Sequence, residues 1–391
     1  MVKNWAELNH NLLVENATRI KAYEDFVAFC RVYSSWRSVE IASRMKLYQD
    51  YCAVSRHELL CSSSWQSAAV MENLSFKCSK LPWLMLPQRY SNLRDFFDLS
   101  KGTTHQIMLP EAKGNKMCFS SKGWLMTLDQ HWNMNLLHPF SRITIKLPHS
   151  TTFRDWFSLR TYKFLFFMTK FVLSSNPLVS SNYVLMVIYG ATAKLAYCKA
   201  GDKQWTSINT RKTYYDINYY KGQFYALDCH GEIMACDIKN GEVSPVAQLP
   251  SGCCSCLEKL YLVESEGKFL VIIREGAQVR PKRENSHKNI HATYGFLVFE
   301  VDLSTNTWTK VEDLGSRTLF LGYNSSLSIS NACGCEHNCI YFTEDSAESY
   351  FHRRKGGGED MGIYYMKDGS IVRQFMGYSP ITPPMWVEQS F

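Results

Sequence analysis

Residues 195–206 read LAYCKAGDKQWT, which is a short apolar strand, a Gly-Asp turn and then a tryptophan in a polar strand. The same order returns in residues 296–311, FLVFEVDLSTNTWTKV, where Asp302 precedes Trp308. Residues 233–238, IMACDI, give a version without the tryptophan. A unit that recurs in this way indicates a repeat architecture, although the spacing between its copies is irregular.

Short apolar runs bounded by turn residues fill the rest of the chain from about residue 81 onward. Examples are Lys116–Ser120 and Trp124–Leu128, which flank Lys122-Gly123, and Gly362–Met366, which precedes Asp368-Gly369. Strands at this spacing, with no long helix between them, favour antiparallel sheets in a sandwich, a barrel or a propeller. The recurring acid and tryptophan are typical of kelch-like blades, and we therefore predict a mainly β protein with a kelch-like β-propeller.

The first forty residues have a different pattern, which predicts three short helices. Asn9 is a good helix N-cap, and Leu13, Ala17 and Ile20 recur at helical spacing. Three helices in so short a segment cannot bury all of their large apolar side chains among themselves. The surplus apolar surface requires a partner, which is either another chain or the rest of this one.

This N-terminal segment resembles an F-box, the motif that docks onto the Skp adaptor of a cullin-based (SCF) ubiquitin ligase. The resemblance is carried by Leu8, Leu12-Leu13, Ile20 and the Val32-x-x-x-Trp36-Arg37 run. It implies a small three-helix F-box in front of the propeller. The residues expected to contact the adaptor are Trp5, Leu8, Leu12, Leu13, Ile20, Phe26, Val32 and Trp36.

The remainder of the chain is similar to the KIB-type β-propeller of plant F-box proteins. Motifs that carry this similarity, in order along the chain, are Leu109–Glu111, Ser121–Leu125, Leu136–Arg142, Ile145–Pro148, Lys194–Tyr197, Tyr261–Ser265, Leu314–Gly322, Asn338–Phe342 and Asp360–Tyr364. We predict an F-box at 1–50, a partly helical linker at 51–79 and a KIB-type propeller at 80–391.

The two resemblances together imply a non-catalytic substrate receptor of an SCF ubiquitin ligase. Its expected partners are the Skp adaptor, through it a cullin, and a target protein that the sequence does not identify. One alternative is a propeller interaction protein that acts outside the ligase, since Asn9, Asn11 and Tyr33 stand where most F-boxes have Pro, an acid and Cys. A less favoured alternative is an enzymatic or sugar-binding propeller.

Composition places the chain among globular proteins, with 46% hydrophobic and 20% charged residues in 391. The N-terminus lacks the apolar core of a secretory signal, and no apolar run reaches the roughly twenty residues that span a bilayer. We therefore expect a protein of the cytoplasm, the nucleus or both, with no membrane partner and reduced cysteines. A net charge of +7 spread over this length does not predict nucleic-acid binding.

Few residues in the sequence suggest metal binding or catalysis. Cys333, Cys335, His337 and Cys339 alternate in a loop before a predicted strand, and we interpret them as loop residues with no metal or other cofactor. No catalytic motif is found, so no catalytic residue is assigned. Two basic stretches, Arg274–His291 and His352–Lys355, are interpreted as solvated insertions between strands, with recognition of an acidic or phosphorylated target as the sharper alternative.

Overall fold

The described part of the chain forms a six-bladed β-propeller. The computed structural model describes residues 81–87, 92–113, 117–156, 167–253, 258–279, 290–330, 334–345, 357–374 and 383–390. These residues build six sheets of four or five strands each. The mainly β, propeller-type fold predicted from the sequence is confirmed. The predicted F-box and linker, residues 1–79, lie outside the described residues.

Blades 1 to 3 each contain four antiparallel strands. The strands of blade 1 are β1 Trp83–Met85, β2 Leu93–Asp98 and β3 Thr103–Met108, and its fourth strand comes from the other end of the chain. Blade 2 has β4 Met117–Ser121, β5 Trp124–Leu128, β6 Met134–Leu137 and β7 Thr144–Lys146. Blade 3 has β8 Met168–Leu173, β9 Val184–Tyr189, β10 Lys194–Lys199 and β11 Thr206–Ser207. Two short 3₁₀ turns, Pro110–Ala112 and Ser150–Thr152, lie in the connections that follow β3 and β7.

Blades 4 and 5 repeat this antiparallel order, whereas blade 6 departs from it. Blade 4 has β12 Tyr214–Tyr220, β13 Gln223–Asp228, β14 Glu232–Asp237 and β15 Glu242–Gln248. Blade 5 has β16 Lys259–Ser265, β17 Lys268–Val279, β18 Ile290–Asp302 and β19 Thr307–Lys310. Blade 6 has β20 Arg317–Leu321, β21 Leu327–Ser330, β22 Cys339–Phe342, β23 Gly362–Tyr365 and β24 Ile371–Arg373. In blade 6 the pair β20–β22 is parallel, with Thr318 opposite Cys339.

Tight turns join the first two strands of blades 2, 4 and 5. Their central residues are Lys122-Gly123, Lys221-Gly222 and Glu266-Gly267, and all six have positive φ, between 45° and 86°. Positive φ at both central positions is typical of the type I′ turn, whose twist matches that of two paired strands. Glycine at the second position adopts this conformation without the steric cost of a Cβ.

The last strand closes the ring. The strand β25, Met385–Val387, pairs antiparallel with β1, so that Val387 lies opposite Trp83. It also contacts β4, the inner strand of blade 2. Blade 1 therefore joins the two ends of the described chain, and opening it would open the whole ring.

Apolar side chains fill the gaps between the blades. Six clusters of buried residues lie among the described residues, one in each gap between adjacent blades. Trp205 fills the gap between blades 2 and 3, where it stacks on Phe153 with ring centroids 4.8 Å apart. In kelch-like blades the repeated tryptophan fills the space between adjacent blades in the same way. Each blade is thus stabilised by burial of apolar surface against both of its neighbours.

Candidate functional site

The residues predicted to contact the adaptor all precede residue 81, so they lie outside the described residues. They are Trp5, Leu8, Leu12, Leu13, Ile20, Phe26, Val32 and Trp36. The site described below belongs to the propeller, at the junction of blades 5 and 6.

The longest hairpin in the described chain belongs to blade 5. Its strands β17 and β18 have 12 and 13 residues. The neighbouring strand β16 begins at Lys259, opposite Arg274, so five residues of β17 extend beyond β16. At about 3.4 Å per residue they project about 17 Å. We call residues 275–279 and 290–294 the hairpin arm.

Arg274 lies at the base of the hairpin arm, with only 1% of its surface exposed. Its Nε donates to Thr293 Oγ1 at 2.7 Å, and its Nη1 donates to the Thr343 carbonyl at 2.9 Å. Its Nη2 donates to both the carbonyl and the Oδ2 of Asp360, each at 3.0 Å. The guanidinium also lies over the Phe342 ring, 4.8 Å from its centroid. One side chain therefore connects the hairpin arm with two segments of blade 6.

Asp360 completes the connection to the hairpin arm. Its carboxylate accepts hydrogen bonds from the Thr293 N–H at 3.0 Å and the Thr293 hydroxyl at 2.7 Å, and it forms an ion pair with Arg373. Arg373 also donates to the Thr293 carbonyl. Both backbone groups of Thr293 are thus bonded to side chains. This prevents another strand from pairing with β18 at that position.

A second carboxylate, Asp345, lies on the other side of Arg274. It accepts from Lys259 Nζ at 2.8 Å, the Tyr261 hydroxyl at 2.9 Å and Arg274 Nη1 at 3.1 Å. Burial alone would raise the pKa of Asp345, but the charges of Lys259 and Arg274 lower it to about 2. The carboxylate is therefore ionised at neutral pH.

Glu344 holds the two ends of the segment 346–356 together. Its Oε2 accepts from the backbone N–H groups of Gly358, Glu359 and Asp360, at 2.5, 2.8 and 3.3 Å. Glu344 directly precedes Asp345, the residue before this segment, while the three donors follow the segment. The chain therefore leaves and re-enters blade 6 at almost the same place.

These groups form a network of charges around the buried Arg274. Its three cations, Arg274, Arg373 and Lys259, form ion pairs with two carboxylates, Asp345 and Asp360. The third carboxylate, Glu344, accepts backbone N–H groups. The side chains of Lys259 and Arg373 reach the surface, at 32% and 43% exposure. Because the buried charges have charged or backbone partners, the network is suited to holding backbone segments in place.

A second ion pair joins inner strands of the ring. Lys170 Nζ in blade 3 lies 2.9 Å from Asp216 Oδ1 in blade 4, and both side chains are at most 5% exposed. The other oxygen of Asp216 accepts the backbone N–H of Leu262 in blade 5, and Asn218 donates to the Leu262 carbonyl. Side chains of one blade thus satisfy the free backbone edge of the next.

The segment between β20 and β21, residues 322–326, connects blades that are not neighbours. The Ser325 N–H donates to the Ser120 carbonyl of blade 2 at 2.7 Å. Tyr323 packs against Phe119 of blade 2, with ring centroids 6.0 Å apart. The segment therefore reaches from blade 6 past blade 1 to β4, the inner strand of blade 2.

The cysteine and histidine loop shows no metal-site geometry in the described residues. Cys335 Sγ lies 3.7 Å from Thr318 Oγ1, and Cys339 Sγ lies 3.0 Å from the Glu336 carbonyl. Across the described ranges, no group of three His, Cys, Asp or Glu side chains could hold a metal ion. Cys333 lies outside them. In the same ranges, no helix has the length and apolar character needed to cross a lipid bilayer.

Comparison with known proteins identifies the family. The KIB1-4 β-propeller family model matches residues 96–365. The chain belongs to this family. The KIB1-4 resemblance drawn from the sequence is confirmed, and the relatives are named F-box proteins of a plant.

Three relatives from Arabidopsis thaliana extend the KIB1-4 match to most of the chain. The F-box protein At5g55150 is 30% identical and aligned over 83% of this chain and 88% of its own length. The F-box protein At3g25750 is 28% identical and aligned over 80% of this chain and 85% of its own length. The F-box/kelch-repeat protein At1g57790 is 26% identical and aligned over 74% of this chain and 77% of its own length. Each alignment thus covers about three quarters or more of this chain and of the relative.

The KIB1-4 motifs seen in the sequence are joined to each other in space. Arg142 forms an ion pair with Glu111 at 2.6 Å, which links the motifs Leu136–Arg142 and Leu109–Glu111. His138 Nε2 lies 2.8 Å from the Ser390 carbonyl, just after the closing strand β25. Several motif residues of blade 2 therefore support the closure of the ring.

The network around Arg274 is not predicted from the sequence. The interpretation of Arg274 as part of a solvated insertion is wrong, because β17 continues to Val279 and Arg274 is buried. One signal was available: the arginine follows Leu270–Ile273, four apolar residues in a row. A charge directly after such a run, with an aspartate in a motif elsewhere in the chain, is consistent with a buried pair.

Proposed function

We propose that this chain is the substrate-recognition subunit of an SCF-type ubiquitin ligase. The N-terminal F-box segment binds the Skp adaptor and through it a cullin, and the propeller binds a target protein. The observation that carries the proposal is that a KIB1-4 propeller follows an F-box-like segment in one chain, and that relatives aligned over most of this chain are named F-box proteins. We place this assembly in the cytoplasm, the nucleus or both.

The mechanism is proximity, without a catalytic residue in this chain. Binding the target on the propeller and the adaptor on the F-box raises the effective concentration of the target near the ubiquitin-charged enzyme. Across the described ranges, no group of His, Cys, Asp and Glu side chains suited to a metal ion is found, and the charged groups around Arg274 are engaged in holding backbone segments, which supports this function over an enzymatic one.

The test is capture of the full-length protein by a purified Skp adaptor. We expect the wild type to bind, and the double variant Leu12→Asp with Leu13→Asp to lose binding at least tenfold, because charges replace apolar contacts. The control is Val179→Asp, which replaces an apolar propeller residue that is 82% exposed by one aspartate. The control should bind like the wild type.

The alternative, a propeller interaction protein whose F-box no longer binds an adaptor, gives a different result. In that case the wild type and the double variant would both fail to bind the adaptor, while both remain folded. That outcome would overturn the receptor proposal. Equal loss of binding in the control and the double variant would also contradict it.

A further inference from the structure

The outer strand of each blade leaves one edge of its sheet open. Such an edge carries backbone N–H and C=O groups that can pair with another chain, and proteins usually protect it with short strands, charges, prolines or bulges. Five of the six outer strands in the described part of the chain are protected in this way. The strands β7, β11 and β24 have only two or three residues, β19 has four and ends in Lys310, and β15 contains Pro245 and shifts register against β14.

The strand β3, Thr103–Met108, is the exception among the outer strands that the structure describes. It has six residues, and none of them is Asp, Glu, Lys, Arg or Pro. It pairs with β2 in continuous register, from Asp98 opposite Thr103 to Leu93 opposite Met108, without a bulge. The edge of β3 is therefore both long and regular.

The pairing of β3 shows which of its backbone groups are open. The Leu109 N–H donates to the Asn92 carbonyl at 2.7 Å, so Leu109 and every second residue before it bond to β2. The residues between them, Thr104, Gln106 and Met108, point their backbone groups away from β2. Within the described ranges, these outward groups have no backbone hydrogen-bond partner.

The side chains beside this edge give it a chemical character. Met108 is 42% exposed, and its cross-strand partner Leu93 is half-buried on the same face of the sheet. Near the middle of the edge, Gln106 Nε2 donates to Asp95 Oδ1 at 3.0 Å, also on that face. An added strand would thus meet an apolar patch at one end and a carboxylate near its middle.

We propose that the edge of β3 binds an extended segment of a target protein by β-augmentation, so that the segment becomes a fifth strand of blade 1. Main-chain hydrogen bonds to Thr104, Gln106 and Met108 supply the affinity, and alternate side chains supply the specificity. The segment is not acidic: an apolar residue packs beside Met108, and a lysine or arginine opposite Gln106 faces Asp95. This inference rests on the proposed function, because it names the kind of segment by which the receptor takes its target.

A second copy of this chain fits the same edge less well. Pairing two six-residue edges would bury far less than the about 1,200 Å² at the lower end of stable interfaces. It would also bring the Asp95 carboxylates of both copies to one face of the joined sheet. A segment with a central cation would instead offset the charge of Asp95.

The experiment measures binding of labelled ten-residue peptides to the full-length protein by fluorescence anisotropy. The probes alternate valine and threonine, and the central valine is replaced by lysine in one probe and by glutamate in the other. We expect the lysine probe to bind at least tenfold more tightly, because Asp95 attracts the lysine and repels the glutamate. Asp95→Asn should reduce this preference to threefold or less.

Two N-methylated forms of the lysine probe test the backbone pairing without changing the protein. Only every second N–H of an added strand faces its neighbour. Methylation of one alternate set of N–H groups should therefore weaken binding at least tenfold, and methylation of the other set should change it less than threefold. Equal effects of the two sets would contradict pairing as a strand.

Protein variants test the location. Thr104→Pro should weaken binding of the lysine probe at least tenfold, because it removes an outward N–H and leaves the bonds to β2 intact. The matched control is Thr144→Pro in the outer strand β7. Thr144 is also exposed, and its N–H points outward because the preceding residue, Ile143, accepts the His138 N–H of blade 2. This control should bind the probe like the wild type.

Three further results would overturn the proposal. Failure of both probes to bind, or equal losses in Thr104→Pro and Thr144→Pro, would mean that the β3 edge does not bind an extended segment. A dimer of the full-length protein in analytical ultracentrifugation that Thr104→Pro abolishes would assign the edge to a second copy. Adaptor capture is measured separately on the same variants, so failure at this edge is distinguishable from failure of the receptor proposal.

Discussion

Arg274 is a buried cation on a strand whose neighbouring side chains are apolar. Its hydrogen bonds reach Thr293, Thr343 and Asp360, and its charge faces Asp345 and Asp360. A buried ion pair adds little net stability in itself, because desolvation offsets the attraction between its charges. Losing one partner is costly, however, since the remaining charges stay buried without compensation.

We predict that Arg274→Met lowers the free energy of unfolding by about 3–5 kcal/mol, because Asp345 and Asp360 lose their shared cation. The matched control is Lys268→Met, which breaks an exposed pair with Glu300 in the same blade and should cost about 0–1 kcal/mol. Denaturant unfolding monitored by tryptophan fluorescence measures both. Similar losses in the two variants would mean that the network is not rigidly buried.

His138 makes the stability of the propeller depend on pH. It is fully buried, and its Nδ1 lies 3.1 Å from the Ser141 backbone N–H, which donates to it. The neutral imidazole of His138 can then donate from Nε2 to the Ser390 carbonyl. Burial lowers the pKa of His138 to about 4, although the Ser390 carbonyl favours the charged form.

We predict that stability falls as pH drops from about 6.5 to about 4. In that window the unfolded chain binds a proton at His138 that the folded chain does not, so the free energy of unfolding decreases by about 1.4 kcal/mol per pH unit. His138→Gln should remove this component of the slope. The lowered pKa of Asp345 places its own loss of stability below pH 3.8. Denaturant midpoints at pH 7, 6, 5 and 4.5 measure the effect; parallel curves for wild type and variant would contradict it.

The inner hairpins are the elements that the sequence predicts best. Lys122-Gly123 lies between two apolar runs, and the structure places a tight turn there between β4 and β5. The sequence does not predict the strand β12, Tyr214–Tyr220, because Asp216 and Asn218 interrupt it and leave no continuous apolar run. Local pattern thus finds turns and apolar strands, but not strands that depend on partners distant in sequence.

We predict different costs for the same substitution in two matching turns. Gly123→Ala and Gly222→Ala both place a Cβ at positive φ, which costs about 1–2 kcal/mol. A Cβ at Gly222 meets nothing within 4 Å, whereas at Gly123 it would lie 1.8 Å from Ser390 Oγ. Gly123→Ala should therefore lose about 1–3 kcal/mol more, because the tail of the closing strand must move.

Thermal and denaturant unfolding measure both glycine variants. Adding Ser390→Gly should restore part of the stability lost by Gly123→Ala, since it removes the side chain that clashes. In the Gly222→Ala variant, Ser390→Gly should not restore stability, and the two losses of stability should add. Equal losses in the two alanine variants would mean that the tail does not pack tightly on the turn.

For the whole molecule, the sequence predicts the propeller but not how it closes. The repeats around Trp205 and Trp308 indicate blades, yet their irregular spacing does not give the number six. The closing strand Met385–Val387 has only three residues, and its partner Trp83 lies some three hundred residues away. The parallel strand pair in blade 6 and the contact of residues 322–326 with blade 2 also join segments that lie far apart in the sequence. No local sequence pattern predicts such contacts.

We predict that residues 80–391 fold without the F-box segment. The strands of all six blades lie between Trp83 and Val387, and buried apolar clusters from this range fill all six gaps. The fragment should unfold in a single cooperative transition close to that of the full-length chain, and it should lose capture by the Skp adaptor. Circular dichroism melting and adaptor capture, each with the full-length chain as control, measure the two outcomes. An insoluble fragment, or one that melts in separate steps, would mean that the ring needs the preceding residues to close.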